Sequence, residues 1–182
     1  MPSNWSQEVY IKAYRFAAEA HNGQLYPGTN LPYLMHLSLV SMEVVGVLSA
    51  ESGHDGDLAI QCALLHDTIE DTDITYAQLV SEFGANVADG VKSLSKDPTI
   101  EKSYQLPDSL ERICLQPNEI WMVKLADRIT NLQAPPSYWT TEKIIRYRQE
   151  SIEIYTALKE ASPFLALRLA QKIENYQRGC RS

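Results

Sequence analysis

Ala63-Leu64-Leu65-His66-Asp67-Thr68-Ile69-Glu70-Asp71-Thr72 sets an apolar run directly against a histidine, three carboxylates and two hydroxyls. The apolar half can bury a helix, whereas the polar half cannot enter a protein interior without partners. On a continuous helix His66 and Glu70 share one face at i,i+4, and so do Asp67 and Asp71. Two adjacent ligand types, with two carboxylates one turn later, make half of a metal site that also carries acid/base groups. The other half is expected from elsewhere in the chain.

Outward from this stretch the chain reads as helix nearly throughout. Asp55 can cap the helix that passes through Leu58, Ala59, Cys62 and Leu65 to His66, and the carboxylate cluster ends it. Upstream, Val9, Ala13, Phe16, Ala17 and Ala20 recur at three- and four-residue spacing from about Ser6, which reads as the N-cap of an amphipathic helix. Two prolines and two glycines between Gly23 and Pro32 predict a loop, after which Tyr33 to Leu48 resumes helix with His36 near its start.

Downstream, Thr75 with Gln78 fits a capping box for a short helix closed by Gly84, and Ala85 to Leu94 predicts another. The pattern is lost from Ser95 to Pro107, a segment expected to be a mobile loop of the kind that closes over sites. Asp108 to Leu115 predicts a turn or two stopped by Pro117. Asn118 then caps a helix through Ile120, Val123, Leu125, Ala126 and Ile129, which carries Lys124, Asp127, Arg128 and Asn131. Gln133 to Thr140, with paired prolines and Trp139, reads as a loop; helices over Thr141 to Lys159 and Pro163 to Gln177 are expected to pack across the bundle. Strand-like alternation is scarce and no 20- to 50-residue repeat is visible. These features predict an all-α helical bundle, a single domain over residues 1–182.

The bulk numbers agree with that architecture. A chain of 182 residues with 45% hydrophobic content suits one compact core. A net charge of −7 counts against nonspecific nucleic-acid binding, although a metal ion and a few lysines can still dominate one pocket. No apolar run approaches bilayer length, and Met1-Pro2-Ser3-Asn4-Trp5 lacks a signal peptide's basic-then-apolar pattern, so no membrane partner and a cytoplasmic location are expected. Cys62, Cys114 and Cys180 are odd in number without close pairing, which predicts reduced thiols. Oligomeric state is left open.

Histidine and carboxylate ligands drawn from different helices suit a hard or borderline divalent ion, with positions left for water and substrate. His36, His66, Asp67 and Asp127 supply such a set. A nitrogen and oxygen sphere without thiolates favours manganese, iron or zinc, with manganese the first choice. Such an ion lowers the pKa of its water and polarises a phosphoryl oxygen, so hydrolysis of a phosphate ester or anhydride by a metal-bound hydroxide fits. Glu70 and Asp71 lie one turn on, where a carboxylate can orient the water or protonate the leaving oxygen, and their proximity favours one raised pKa.

Each residue also has an ordinary reading. His36 alone can fill a core, and Asp127 can pair with Lys124 or Arg128. Glu70 and Asp71 can be a solvated helix end, although the helix dipole disfavours carboxylates there. His21 and His54 lack matching neighbours and receive no role. Trp139 and Tyr147 are expected to pack the last helices, and Cys62 to be a small buried hydrophobe.

The order His36, His66-Asp67, Asp127 resembles the HD-domain metal phosphohydrolases. Pro32-Tyr33-Leu34-Met35-His36, the stretch from Leu64 to Thr75, Phe83-Gly84-Ala85-Asn86-Val87 and the stretch from Lys124 to Leu132 are similar to the hydrolase domains of the RelA/SpoT superfamily, above all its single-domain small alarmone hydrolases. The likeness runs from about Phe16 to Leu158. It implies a manganese-dependent enzyme that removes the 3′-pyrophosphate from guanosine tetra- or pentaphosphate. His36, His66, Asp67 and Asp127 match its metal ligands, and Glu70 and Asp71 its catalytic pair. Asn131 matches a nucleotide-contacting asparagine, Lys124 and Arg128 flank the ligand aspartate, and Ser95-Lys96 falls at a substrate-proximal turn.

One departure bears on substrate. The family's Arg-Lys pair before Pro-Tyr is replaced by Gly23-Gln24-Leu25-Tyr26-Pro27, which removes two cations from an anion-binding wall and leaves Tyr26 to stack on a base. The proline that usually follows the first ligand histidine is Leu37. Two alternatives stay open beside the guanosine reading: hydrolysis of another phosphorylated nucleotide or cofactor, and a catalytically silent metal- and nucleotide-binding module.

Overall fold

In the computed structural model, which describes residues 4–179, the chain is an all-α bundle. Its helices are α1 (Gln7–Ala20), α2 (Leu34–Ala50), α3 (Gly56–Leu65), α4 (Thr68–Asp71), α5 (Tyr76–Phe83), α6 (Ala85–Leu94), α7 (Gln105–Cys114), α8 (Asn118–Asn131), α9 (Thr141–Leu158) and α10 (Pro163–Gly179). A 3-10 turn over Lys159–Ala161 joins the last two. Cys180 lies outside the described residues, while Cys62 and Cys114 are free thiols, the first buried and the second exposed.

The layering follows from which helices are apolar on every side. Within α3, Leu58, Ala59, Ile60, Cys62, Ala63, Leu64 and Leu65 are all buried and only the edge with Asp57 and Gln61 is partly exposed, so this helix is central. The helices α2 and α8 pack on it and on each other, burying Leu37, Val40, Val44, Leu125 and Ile129. His36 and Asp127 lie on α2 and α8, and His66 follows the last residue of α3. At the periphery Glu43 of α2 takes a bidentate pair from Arg168 of α10, which ties the C-terminal helix to the centre.

Helix ends match their chemistry at several points. Asp55 caps α3 by accepting from the Leu58 amide at 3.0 Å, and Thr75 with Gln78 forms the reciprocal capping box of α5. Gly84 stops that helix with φ 85°, in the region glycine adopts without strain. Three expectations need correction. Ser6 occupies the N-cap of α1 without a side-chain cap bond, its amide donating instead to Asp57 Oδ1 at 2.6 Å. Pro117, not Asn118, is the cap of α8, and α7 begins three residues before Asp108. The irregular segment is therefore shorter than expected; Gln105 donates to its Asp97 and Ile100 carbonyls, and Arg112 ties α7 to the end of α6 through the carbonyls of Lys92, Ser93 and Ser95.

The third helix also stops before His66, and the local hydrogen bonds give the reason. His66 Nδ1 lies 2.8 Å from the Ala63 carbonyl, and Thr68 Oγ1 donates to the Leu65 carbonyl at 2.7 Å. Side chains thus take carbonyls at the end of α3, which turns the chain and starts α4.

Close approach of α6 to the central pair depends on one missing side chain. A Cβ on Gly90 would stand 2.5 Å from Ile120 Cδ1 and 2.9 Å from Cys62 Sγ. Gly90→Ala is expected to lower stability by about 1–2 kcal/mol, overpacking outweighing the gain in helix propensity. Urea unfolding checks this, and Ile120→Val in the same background should recover part of the loss.

Candidate metal centre and the hollow around it

His36 sits in the first turn of α2, His66 at the end of α3, Asp67 in the turn before α4, and Asp127 in the C-terminal half of α8. The packing of those elements gathers His36, His66 and Asp67 into one cluster and sets Asp127 beside both imidazoles. His36 Nε2 faces His66 Nε2 at 3.3 Å, Asp67 Oδ2 at 3.6 Å and Asp127 Oδ1 at 3.4 Å. His66 Nε2 stands 2.9 Å from Asp67 Oδ2 and 3.8 Å from Asp127 Oδ1. Donors about 2.1 Å from a common ion lie about 3.0 Å apart at a right angle and about 3.4 Å apart at the tetrahedral angle. The observed spacings, 2.9 to 3.8 Å, bracket that range, with both imidazoles buried.

The surrounding hydrogen bonds settle which ring nitrogens face inward. A carbonyl only accepts, so the Ala63 oxygen puts the proton of neutral His66 on Nδ1. Thr130 Oγ1 donates its one proton to the Asp127 carbonyl at 2.9 Å and therefore accepts from His36 Nδ1 at 3.4 Å. Both Nε2 lone pairs then point at each other and at two carboxylates. With both rings neutral, these acceptors face one another without a proton between them, and a divalent cation is what fits.

Charge at the site states the same demand. Burial pulls the His66 pKa down, but the Asp67 and Asp127 carboxylates outweigh it and push it up to about 9. Burial likewise raises Asp127, yet Lys124 and the two histidines hold its carboxyl well below the usual range. The second sphere is ordered: Tyr33 Oη donates to Asp67 Oδ2 at 2.6 Å, Lys124 Nζ to Asp127 Oδ2 at 3.3 Å, and Asn131 Nδ2 to Asp127 Oδ1 at 2.5 Å. Asn131 Oδ1 in turn accepts from Tyr26 Oη at 3.2 Å.

These groups open into a hollow of about 230 Å³ that also contains Glu70, Asp71 and Lys96. The Glu70 carboxylate accepts from Lys96 Nζ at 2.6 Å and from the Lys96 amide at 2.8 Å. Asp71 accepts from Gln24 at 3.4 Å, and its pKa is raised, first by burial and then by the Asp67 and Glu70 charges. Tyr33 and Asn131 are shared with a larger aromatic cleft of about 600 Å³, walled by Tyr26, Tyr138, Trp139 and Tyr147. Trp139 and Tyr147 do pack together, 5.2 Å apart edge to face, but they also line this cleft.

Two residues expected near substrate stand elsewhere. Ser95 is buried with its hydroxyl donated to the Val91 carbonyl, because it closes the end of α6. Arg128 points away from the hollow, stacked on Tyr147 at 4.2 Å and lining a separate cavity. Conversely, reading the sequence missed Thr130, Gln24 and His21. Thr130 lies three residues after Asp127, a spacing that places both on one helical face. His21 is buried, bonded to Gln24 Oε1 at 2.6 Å and stacked on Tyr33 at 5.1 Å, so it steadies the phenol that holds Asp67. His54 is a structural bridge, 3.3 Å from Glu51 and 3.8 Å from Glu119.

Residues 13–163 match the HD domain. This chain belongs to that family. As an HD-domain protein it carries the buried His-His-Asp cluster that implies a divalent metal. It is 30% identical to the zebrafish guanosine-3′,5′-bis(diphosphate) 3′-pyrophosphohydrolase MESH1, over 91% of this chain and 93% of the relative. A like-named hydrolase of Aquifex aeolicus is 34% identical over 83% of this chain, which spans only 21% of that longer protein. The solved structure of a metazoan SpoT ortholog that hydrolyses ppGpp superposes with a TM-score of 0.81 at 25% identity, covering 97% of this chain and 98% of the other.

The raised pKa of His66 sets a testable pH dependence for the HD-domain centre. Its folded value of about 9 lies above the unfolded one, so in the metal-free protein this pairing stabilises fully below about pH 6.5 and is lost as pH rises through about 9. Metal must displace the His66 proton. Calorimetry of manganese binding at pH 7 in buffers of different ionisation enthalpy should report release of about one proton, with affinity rising towards pH 9. Binding heat independent of buffer would contradict this electrostatic account.

Proposed function

We propose that this chain is a manganese-dependent hydrolase that acts in the cytoplasm on guanosine 3′,5′-bis(diphosphate) and its pentaphosphate counterpart, releasing pyrophosphate and leaving GDP or GTP. The observation that carries the reading is the convergence of His36, His66, Asp67 and Asp127 in the same hollow as Glu70 and Asp71. Relatives of nearly equal length with that named activity support it. Manganese suits a mixed imidazole and carboxylate set without thiolates.

A divalent ion held by these four side chains would screen phosphoryl charge and acidify a water molecule. Glu70, gripped by the Lys96 ammonium and amide, keeps free lone pairs on its carboxylate and can orient that water and take its proton. Asp71, its pKa raised by burial, can carry the proton that the leaving 3′-oxygen needs. The water oxygen bonds to the phosphorus attached to the 3′-oxygen, the P–O3′ bond breaks, and pyrophosphate departs. Lys96 and Lys124 border the hollow and offset the phosphate charge, while Tyr26 and its aromatic neighbours offer a stacking wall for the base. Asn131 links the two spaces by bonding both Asp127 and Tyr26.

A second reading keeps the chemistry and changes the substrate to another phosphorylated nucleotide or cofactor. What favours it is the loop before Tyr33, which offers Gln24 and Tyr26 to the site in place of two cations. A silent binding module is disfavoured by the placement of Glu70 and Asp71 inside the hollow.

Asp127→Ala is expected to abolish manganese binding and turnover together, with helical circular dichroism retained. Glu70→Gln should keep one ion per chain while lowering kcat about 10²–10⁴-fold. Metal analysis and a product assay on the same preparations read both. Full activity in Asp127→Ala would defeat the centre as drawn, and clear preference for another member of a nucleotide panel would move the assignment to the second reading.

A further inference from the structure

Gln24 stands between buried His21 and Asp71 of the hollow. Gly23, with φ 81°, turns the chain after α1, and the backbone then fixes Gln24 on both sides. Its amide donates to the His21 carbonyl at 3.0 Å, and its own carbonyl accepts from the Tyr33 amide at 2.9 Å. From that anchored backbone the side chain spans two partners: Oε1 lies 2.6 Å from His21 Nδ1, and Nε2 donates to Asp71 Oδ2 at 3.4 Å.

The chemistry of the three groups fixes the sense of this relay. A carboxylate only accepts, so the amide turns its nitrogen to ionised Asp71 and leaves its oxygen facing His21. That oxygen also only accepts, which puts the proton of neutral His21 on Nδ1. His21 Nε2 is buried without a hydrogen-bond partner, so the one polar use of the ring is its bond to Gln24; a phenyl would stack on Tyr33 at 5.1 Å equally well. With the amide reversed, its oxygen would face the Asp71 carboxyl and hold a proton there. Burial and the Asp67 and Glu70 charges raise the Asp71 pKa, and the Gln24 bond pulls against them.

We propose that His21 and Gln24 are positioning residues for the leaving-group step: His21 fixes which end of the Gln24 amide faces Asp71, and Gln24 holds Oδ2 so that Oδ1 serves the departing oxygen. The inference rests on the proposed hydrolase reading for the role of Asp71 as acid. As the P–O3′ bond breaks, its electron pair goes to the 3′-oxygen, which takes the proton from Asp71. The carboxylate so formed is received by the Gln24 N–H. Solvent then returns a proton to Asp71 and removes the one that Glu70 took from water. The Gln24 side chain bonds His21 and Asp71 and none of the four metal ligands among the described residues, so replacing it separates the acid from the ion.

Steady-state kinetics of the manganese-loaded protein on guanosine 3′,5′-bis(diphosphate), with manganese affinity from calorimetry, read the relay. Gln24→Leu is expected to lower kcat at least about tenfold, the weight of one hydrogen bond to a charged group, while KM and manganese affinity stay within about twofold. Two His21 variants separate the donor from the ring. His21→Asn keeps an N–H where Nδ1 stands and loses the stack; His21→Phe keeps the stack and loses the donor. His21→Phe is expected to match Gln24→Leu and His21→Asn to turn over faster than either, whereas a purely structural His21 gives the opposite order. Wild-type kcat in Gln24→Leu, that opposite order, or turnover lost in step with manganese affinity would overturn the positioning role. Should His21→Asn fail to fold, Gln24→Leu decides alone. Should wild type leave guanosine 3′,5′-bis(diphosphate) intact, the guanosine assignment fails, and the same variants are read on whichever member of the nucleotide panel is hydrolysed; hydrolysis of none ends both readings.

Discussion

Four acceptor atoms that cannot satisfy one another are the constraint on which this structure turns. His36 and His66 present Nε2 lone pairs because Thr130 and the Ala63 carbonyl occupy their Nδ1 positions, and Asp67 and Asp127 close around them. Such a cluster is repulsive by itself and cohesive only around positive charge. Without an ion, His66 supplies that charge by retaining a proton up to about pH 9. The inner bundle of α2, α3 and α8 consequently has two tasks, burying its apolar faces and holding four polar atoms in register. The second explains why polar groups as large as Tyr33, Lys124 and Asn131 are gathered at an otherwise apolar junction.

Around the centre, linings of different polarity adjoin one another. Aromatic side chains wall the cleft, carboxylates and imidazoles line the hollow, and Lys96, Lys102, Lys124 and Arg128 border a third space, with Arg128 stacked on Tyr147 of the cleft. A molecule with a flat, weakly polar part and a polyanionic part meets a matching lining for each. The chain's net charge of −7 does not oppose this, because close cations in a partly enclosed cavity act over shorter distances than the screened field of the whole surface. Where the sequence lacks two cations before Tyr33, the loop instead brings Gln24 to Asp71 and Tyr26 to Asn131.

Most helices were legible because period and capping chemistry speak locally: the capping box at Thr75 and the stop at Gly84 need no tertiary information. The cluster of His36, His66 and Asp67 was legible because histidines and aspartates stand out from apolar helices. What escaped was decided by long-range packing. Arg128 follows Asp127 in sequence, yet successive positions on a helix diverge by about 100°, and so one faces the hollow while the other faces α9. His21 had no neighbour of its own kind in sequence; the loop after it folds back through the isolated Leu25–Pro32 bridge and delivers Tyr33 to its face. Ser95 was drawn into the end of its helix by a carbonyl four residues earlier, an alternative that a short polar side chain always has.

The interruption between α3 and α4 joins these themes. On an unbroken helix, His66 and Asp67 would project about 100° apart and could not share a partner. The turn between them, held by Thr68 on the Leu65 carbonyl and by Thr72 on the Thr68 carbonyl at 2.6 Å, brings Asp67 Oδ2 within 2.9 Å of His66 Nε2. The same turn carries Glu70 outward to Lys96 and leaves Asp71 beside Gln24, so carboxylates three and four residues past Asp67 meet different surroundings. One of them is fastened to a cation; the other is half enclosed near like charges and has its pKa raised. Two adjacent acids thereby become chemically unequal, which is the condition for one to accept a proton while the other supplies it.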